Sequence, residues 1–456
     1  MSRSHMPSYA DKGTLTQGSI RGHLVRLTIP MTWGILAMIS FQLVNIFYIS
    51  FLGTEKLTAI SFTFPVTYAV FSLNLGFSIA TSSVLSRQLG SGNKARARRI
   101  TTHALILSLI NGLICAVIGC ALITPIFTAM GAPDDMIPLI RDYMLIWFAG
   151  SMLINTPLIC NAALRAGGDS LTPAFIMLGA AGLNMVVDPI LIFGLFGFPR
   201  LELQGAAIST VISNGTALAV ALYIIAVRRK MLSRNRRPLR LFADSLKRLL
   251  FIALPAGFTG MVLPLSNAII IALLAGISTE AVAAFGIVSR VEAFAFIIIM
   301  ALATGMAPII GQNWGAESYD RVRLTLKEAL RFAVLWSAFI AVILAAFATP
   351  IASIFSQDTE IVQIAALYFL IVPISAVCGN LAQGWASAFN AIGKPQRAVV
   401  MIVTRLLVLN IPLAWLGAHY FGIIGIFGAL ALTNIISGLA FHIISARYLR
   451  RWELKT

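Results

Sequence analysis

Long apolar windows, separated by short polar breaks, run from residue 25 to residue 446. Twelve follow in succession: 25–53, 57–86, 100–129, 138–164, 171–197, 204–227, 249–277, 281–311, 326–355, 359–389, 396–420 and 423–446. Each is long enough to cross hydrocarbon as a helix, which takes about 20 apolar residues. Lipid offers backbone N–H and C=O groups no partner, so windows of this kind close their hydrogen bonds internally as α-helices. The pattern predicts an all-α integral membrane protein with twelve transmembrane helices.

The pattern also repeats. Shifted by 225 residues, Pro30 falls on Pro255, Thr54-Glu55 on Thr279-Glu280, Ala59 on Ala284 and Gly90 on Gly315. Arg96 and Arg98 fall on Arg321 and Arg323, and Ala166 and Gly168 on Ala391 and Gly393. With a two-residue adjustment Thr210 meets Thr433. One offset held over so long a stretch indicates an internal duplication. Each half contains six spans, an even number, so both copies enter the membrane in the same orientation. This is a parallel repeat, related by an axis along the membrane normal. The expected organisation is a cytoplasmic tail (1–24), an N-lobe of helices 1–6 (25–227), a basic cytoplasmic linker (228–248), a C-lobe of helices 7–12 (249–446) and a second cytoplasmic tail (447–456). Two similar lobes around a central cleft suit alternating access.

Composition agrees and charge adds the orientation. Hydrophobic residues make up 58% of the 456 and charged residues 11%, against about one quarter charged in soluble domains. The net charge of +17 would suggest nucleic acid in a soluble protein, but its distribution points elsewhere. With the N-terminus placed inside, Arg3, Lys12, Arg21, Arg26, Arg87 to Arg99, Arg165, the linker, Arg321 to Arg331, Lys394, Arg397 and the C-terminal tail all fall on the inner side. Those segments hold all of the 34 Lys and Arg except Lys56, Arg141 and Arg200 in outer loops and Arg290 and Arg405 within spans. This is the positive-inside asymmetry, and it predicts both termini in the cytoplasm. The partners expected are therefore the lipid bilayer and a small amphipathic substrate, with no nucleic acid, in a monomeric protein of a bacterial inner membrane. The first 24 residues are polar and hold no signal-peptide core. Cys115, Cys120, Cys160 and Cys378 all lie inside spans without metal-ligand spacing, and the five His form no cluster.

"RLTIPMTW" followed by "VNIFYISFLGTEKLTAIS" resembles helix 1 of the multidrug and toxic compound extrusion (MATE) transporters. "LSRQLGSGNKARARR" after helix 2, "IIGQNWGAESYDRVR" after helix 8, "ALRAGGDSLTPAF" and "LNMVVDPILIFGLFGFPRLELQGAAISTVIS" resemble further stretches of that family. The resemblance covers residues 20–445 and implies a twelve-helix, two-lobe exporter. It implies H⁺ or Na⁺ as the coupling ion, no further cofactor, no enzymatic activity, and amphipathic, usually cationic organic substrates.

Four charged residues remain well inside the spans: Asp188, Arg290, Glu292 and Arg405. Each costs about 2.5–3.5 kcal/mol at a helix centre on insertion scales, so each is a functional candidate. Asn184 lies four residues before Asp188, on the same helix face. Pro189 removes a backbone donor and frees the carbonyl of Met185. A carboxylate, an amide oxygen and a free carbonyl suit either Na⁺ at Asp188 and Asn184 or a proton carried on Asp188. The resemblance adds Asn45, which stands where relatives carry an Asp, and Thr210 after "GAA". Asp188 is then the one carboxylate well inside the spans of the N-lobe. Arg290 and Glu292, two apart in helix 8, face different directions, and a Glu292–Arg405 pair between helices 8 and 11 is expected. Met31, Phe64, Met261, Phe294, Glu292 and Arg290 are candidates for the substrate cleft. Pro30, Pro189 and Pro255 are candidate helix kinks.

Two other readings would require residues of a different kind. A flippase for lipid-linked oligosaccharides would want a cleft rich in Arg and Lys for pyrophosphate, and only Arg290 and Arg405 lie within spans. A membrane enzyme would need clustered His, Cys or acidic groups, and no such cluster is present.

Overall fold

The computed structural model describes residues 15–233 and 239–453. Arg3, Lys12 and the rest of the tail to residue 14, residues 234–238 of the basic linker, and the final residues 454–456 lie outside the described residues. All regular structure among the described residues is helical: α1 (Ile20–Ser50), α2 (Thr54–Gly90), α3 (Lys94–Ala129), α4 (Ile137–Ala149), α5 (Ser151–Ala166), α6 (Leu171–Phe193), α7 (Glu202–Tyr223), α8 (Leu239–Ala275), α9 (Thr279–Ala295), α10 (Ile297–Gly315), α11 (Tyr319–Ala346), α12 (Ala348–Phe355), α13 (Thr359–Ala391), α14 (Pro395–Val403) and α15 (Asn410–Glu453).

Among the described residues ten helices are long and apolar enough to cross a membrane unaided, and eleven spans result when α4 and α5, bent by 48° at Gly150, are taken as one. The last of them runs continuously over 395–449. Gly422, at φ 60° and ψ −137°, breaks it into two legs, a backbone conformation that only glycine adopts without strain. The twelve windows are thereby accounted for. Several are broken within the membrane: 281–311 divides at Phe296 and 326–355 at Phe347. Short connections are capped as their composition suggests. Asn93 accepts from the N–H of Arg96 at the start of α3, Ser278 from Ala281 at α9, and Asp358 from Glu360 and Ile361 at α13. Large apolar side chains such as Val117, Phe175 and Val342 are exposed, which carries no cost where the solvent is hydrocarbon.

The chain forms two compact units, and these do not follow the repeat boundary. One comprises Pro30–Gly257; the other comprises Leu15–Ile29 together with the chain from Phe258 onward. The first unit packs α2, α3, α5 and α7 around Leu85, Ile100, Leu164 and Ala221, and draws in Leu249, Ile252 and Ala253 from the start of α8. In the second unit Leu15, Ile20, Leu24 and Leu27 join a core with Ile309 of α10, Leu326 of α11 and Phe389 of α13. The helix that opens each half therefore begins in the core of the other unit. The divisions fall at Pro30 and just after Pro255, the two prolines that superpose at the 225-residue offset. The N-lobe expected over 25–227 thus lacks its first five residues and gains the start of α8. The reason is apolar packing: Leu24 and Leu27 are buried against α10 and α11.

Within the second unit α13 and α15 approach closely at Gly438, where a Cβ would collide with the carbonyl of Cys378. Gly438→Ala is expected to lose about 1–3 kcal/mol through overpacking. Gly428→Ala in the same helix meets nothing within 4 Å and is expected to be neutral. Melting temperatures of the two purified variants in detergent check this; equal values would refute the close approach.

Candidate ion-coupling site

The N-terminal unit buries one polar cluster around Asp188. Asp188 and Asn184 lie one turn apart on α6, both almost wholly removed from solvent. Asn45, fifteen residues beyond Pro30 on α1, donates its amide N–H to Asp188 Oδ2 at 2.8 Å. Ser209 on α7 is fully buried and donates its hydroxyl to Asp188 Oδ1. Asn184 adds a third contact. With its amide nitrogen turned to the carboxylate, it donates to Oδ2 at 2.7 Å, and its oxygen accepts from the N–H of Thr210 at 3.3 Å. This arrangement suits an ionised Asp188, whose oxygens only accept.

Three elements of the N-terminal unit thus converge on one carboxylate. Tyr143, buried on α4, lies close enough to feel its charge. Desolvating a carboxylate is expensive, and bonds from several donors are what make it tolerable. The oxygens of Asp188, Asn184, Ser209 and Asn45 are hard ligands, the type that suits Na⁺. A cage of three or more His, Cys, Asp or Glu side chains is absent among the described residues.

Thr210 does not reach the carboxylate with its side chain. Its hydroxyl bonds the carbonyl of Ala206 within α7, and only its backbone N–H meets Asn184. Ser209, one residue earlier, occupies that place. A step of one residue rotates a side chain by about 100° around a helix, so the variable interval before "GAA" was enough to misplace it.

The second unit holds two separate polar groups in place of the expected Glu292–Arg405 pair. Glu292 on α9 accepts from the hydroxyl of Tyr368 on α13 at 2.8 Å. Arg405 lies in a π-helical turn, Thr404–Leu409, between α14 and α15. It donates to the carbonyl of Gly379 at 3.0 Å and to Asn434 Oδ1 at 2.7 Å, and Asn434 in turn donates to Ser375. Neutral partners took both charges, and no ion pair joins the two residues among the described ones. Arg405 Nε is buried without a partner. Neither Tyr368 nor Asn434 carried a signal in the sequence, since each is an ordinary residue of an apolar window. Of the cleft candidates, Met31 is a core residue, Glu292 is half-buried, and Arg290, Phe64, Met261 and Phe294 are exposed. Pro30 and Pro189 lie inside α1 and α6 without interrupting them, and Pro255 lies within the range of α8.

Comparison with known proteins decides the family. The profile of the family described as MatE matches residues 30–190 and again residues 255–416. The chain belongs to this family of membrane transporters. The two matches begin at the two superposed prolines, so the MATE unit is present twice. The chain is 37% identical over 437 residues to a Shewanella oneidensis protein named FAD transporter, covering 96% of this chain and 97% of that one. It is 27% identical to the multidrug export protein MepA of Staphylococcus haemolyticus, covering 94% of each. The crystal structure of the Vibrio cholerae MATE transporter VcmN in its bent form superposes with a TM-score of 0.91 at 32% identity, covering 95% of this chain and 98% of that one. The protein is thus a multi-pass bacterial-type MATE transporter with the all-helical fold of that family, and not an enzyme.

The geometry separates Ser209 from its neighbour. Ser209→Ala removes a hydrogen bond to a charged group, worth about 1.5–3 kcal/mol, and should shift the coupling-ion concentration for half-maximal transport about 10- to 100-fold. Thr210→Ala keeps the backbone N–H and should shift it less than about threefold. Ion titrations of transport in proteoliposomes measure both, and the reverse order would refute the assignment.

Proposed function

We propose that this MATE transporter is a secondary-active antiporter. It exports amphipathic, cationic organic compounds across the bacterial inner membrane in exchange for H⁺ or Na⁺, with both termini in the cytoplasm. The observation that carries the reading is the carboxylate of Asp188, buried without a cationic partner and held by Asn45, Asn184 and Ser209. A charge placed at such cost in a membrane protein argues for ion coupling. An ion arriving from outside neutralises Asp188. Neutralisation weakens the charge-assisted bonds from α1 and α7, and with them the grip on a cationic substrate. Substrate leaves outward, the lobes turn inward, and the ion departs as new substrate binds. Competition of ion and cation for one carboxylate links their affinities reciprocally, which is the thermodynamic basis of exchange. One carboxylate carries one proton, so Asn45 in the place of a second acid favours a stoichiometry of one.

A second substrate reading is supported by the relative named FAD transporter. A flavin dinucleotide is amphipathic but anionic, and its pyrophosphate needs cationic contact. Arg405, with an unpartnered Nε, and the exposed Arg290 are the two cations available within the spans of the second unit.

Proteoliposomes under an imposed pH gradient or Na⁺ gradient, each alone, test the coupling. One gradient should drive efflux of a cationic dye, and Asp188→Asn should bring that efflux to the level of empty liposomes. Undiminished coupling in Asp188→Asn would sink the mechanism. FAD efflux that Arg405→Gln abolishes, with no dye efflux, would select the second reading.

A further inference from the structure

A cavity of about 450 Å³ opens between α11, α13 and α15 in the second unit, away from the polar groups described above. Three cations line it from one helix, Arg323, Lys327 and Arg331. Spaced four apart, they form a single stripe along α11, extending about 12 Å at 1.5 Å per residue. All three are exposed. Like charges at this spacing repel, and an anion held at the stripe relieves that repulsion. Beside the cations the lining is apolar, formed by Leu330 and Val334 on the same helix and by Leu381 of α13. His442 of α15 lines the cavity as well. Its Nδ1 accepts from Trp385 Nε1 at 3.1 Å, so in the neutral ring Nε2 bears the proton and is a donor.

The cavity lies at the start of α11 and at the ends of α13 and α15, where spans meet polar loops. A basic row, a hydrocarbon-like lining beside it and a position at the membrane boundary define one ligand chemistry. We infer that this cavity binds an anionic phospholipid. Its phosphate sits on Arg323, Lys327 and Arg331, and one acyl chain lies along Leu330, Val334 and Leu381. Basic pockets between transmembrane helices at the headgroup level have the features such lipids need. The site requires only that the chain spans a bilayer; it is independent of the coupling ion and of the exported substrate.

The test uses the full-length protein in detergent, titrated with phosphatidylglycerol or phosphatidylcholine of equal chain length. Native mass spectrometry counts retained lipid, and the melting temperature follows binding. Wild type should retain phosphatidylglycerol and gain thermal stability from it, but not from phosphatidylcholine. Replacing Arg323, Lys327 and Arg331 together by Gln should weaken phosphatidylglycerol binding at least ~10-fold. Val334→Trp fills the chain slot with every charge intact, and should abolish retention; it decides the matter if the triple variant fails to insert. Equal binding of the two lipids by wild type overturns the proposal. So does wild-type retention in Val334→Trp, or displacement of the lipid by inorganic phosphate at matched concentration.

Discussion

Hydrocarbon supplies no hydrogen-bond partner, and that constraint shapes everything else in this protein. It forces the backbone into helices and leaves each buried polar side chain to find its partner within the protein. In the N-terminal unit the requirement converges on Asp188, whose two oxygens collect donors from α1, α6 and α7. The carboxylate therefore ties three helices together, and its ionisation state changes what all three hold. The ion coupling proposed for this transporter rests on that group, which is costly to charge and bonded to three helices.

The two repeats spend the same constraint differently. The N-terminal unit meets it at the Asp188 carboxylate with neutral donors, and again where Asn111 donates to Asn74 and Arg165 to Ser78. The C-terminal unit disperses it over Glu292 with Tyr368 and Arg405 with Gly379 and Asn434. Duplication thus supplied two copies of a scaffold, and substitution gave them different chemistry. The units are also interlocked in the chain. The opening segment of α1 packs with α10, α11 and α13, and the start of α8 packs with α2, α3, α5 and α7. The changes of allegiance fall at or beside Pro30 and Pro255, where the helix is least able to resist bending because a backbone donor is missing.

Most of the fold was legible because membrane insertion reads local composition. Apolar runs set the spans, the 225-residue offset set the duplication, and the matches at 30–190 and 255–416 repeat that offset. Asp188 stood out for the same reason, as a charge in an apolar run. Asn184, on the same helix face, and Asn45, through the family resemblance, were legible too; what was not legible was Ser209 and the partners of Glu292 and Arg405. Thr210 stood in for Ser209 because the two differ by one residue in sequence and about 100° in direction. The Glu292–Arg405 pair was inferred from charge alone, which says nothing of Tyr368 or Asn434 lying nearer.

The sequence by itself determined the class, the spans, the repeat and the residue with the most to lose from burial, since these follow from hydrophobicity summed along the chain. Only the tertiary structure decided that Ser209 joins the donors to Asp188, which unit the helix ends belong to, and that a basic stripe on α11 shares one cavity with Leu381 of α13. Those relations are set by side-chain direction and by packing between helices. Local pattern carries no record of either.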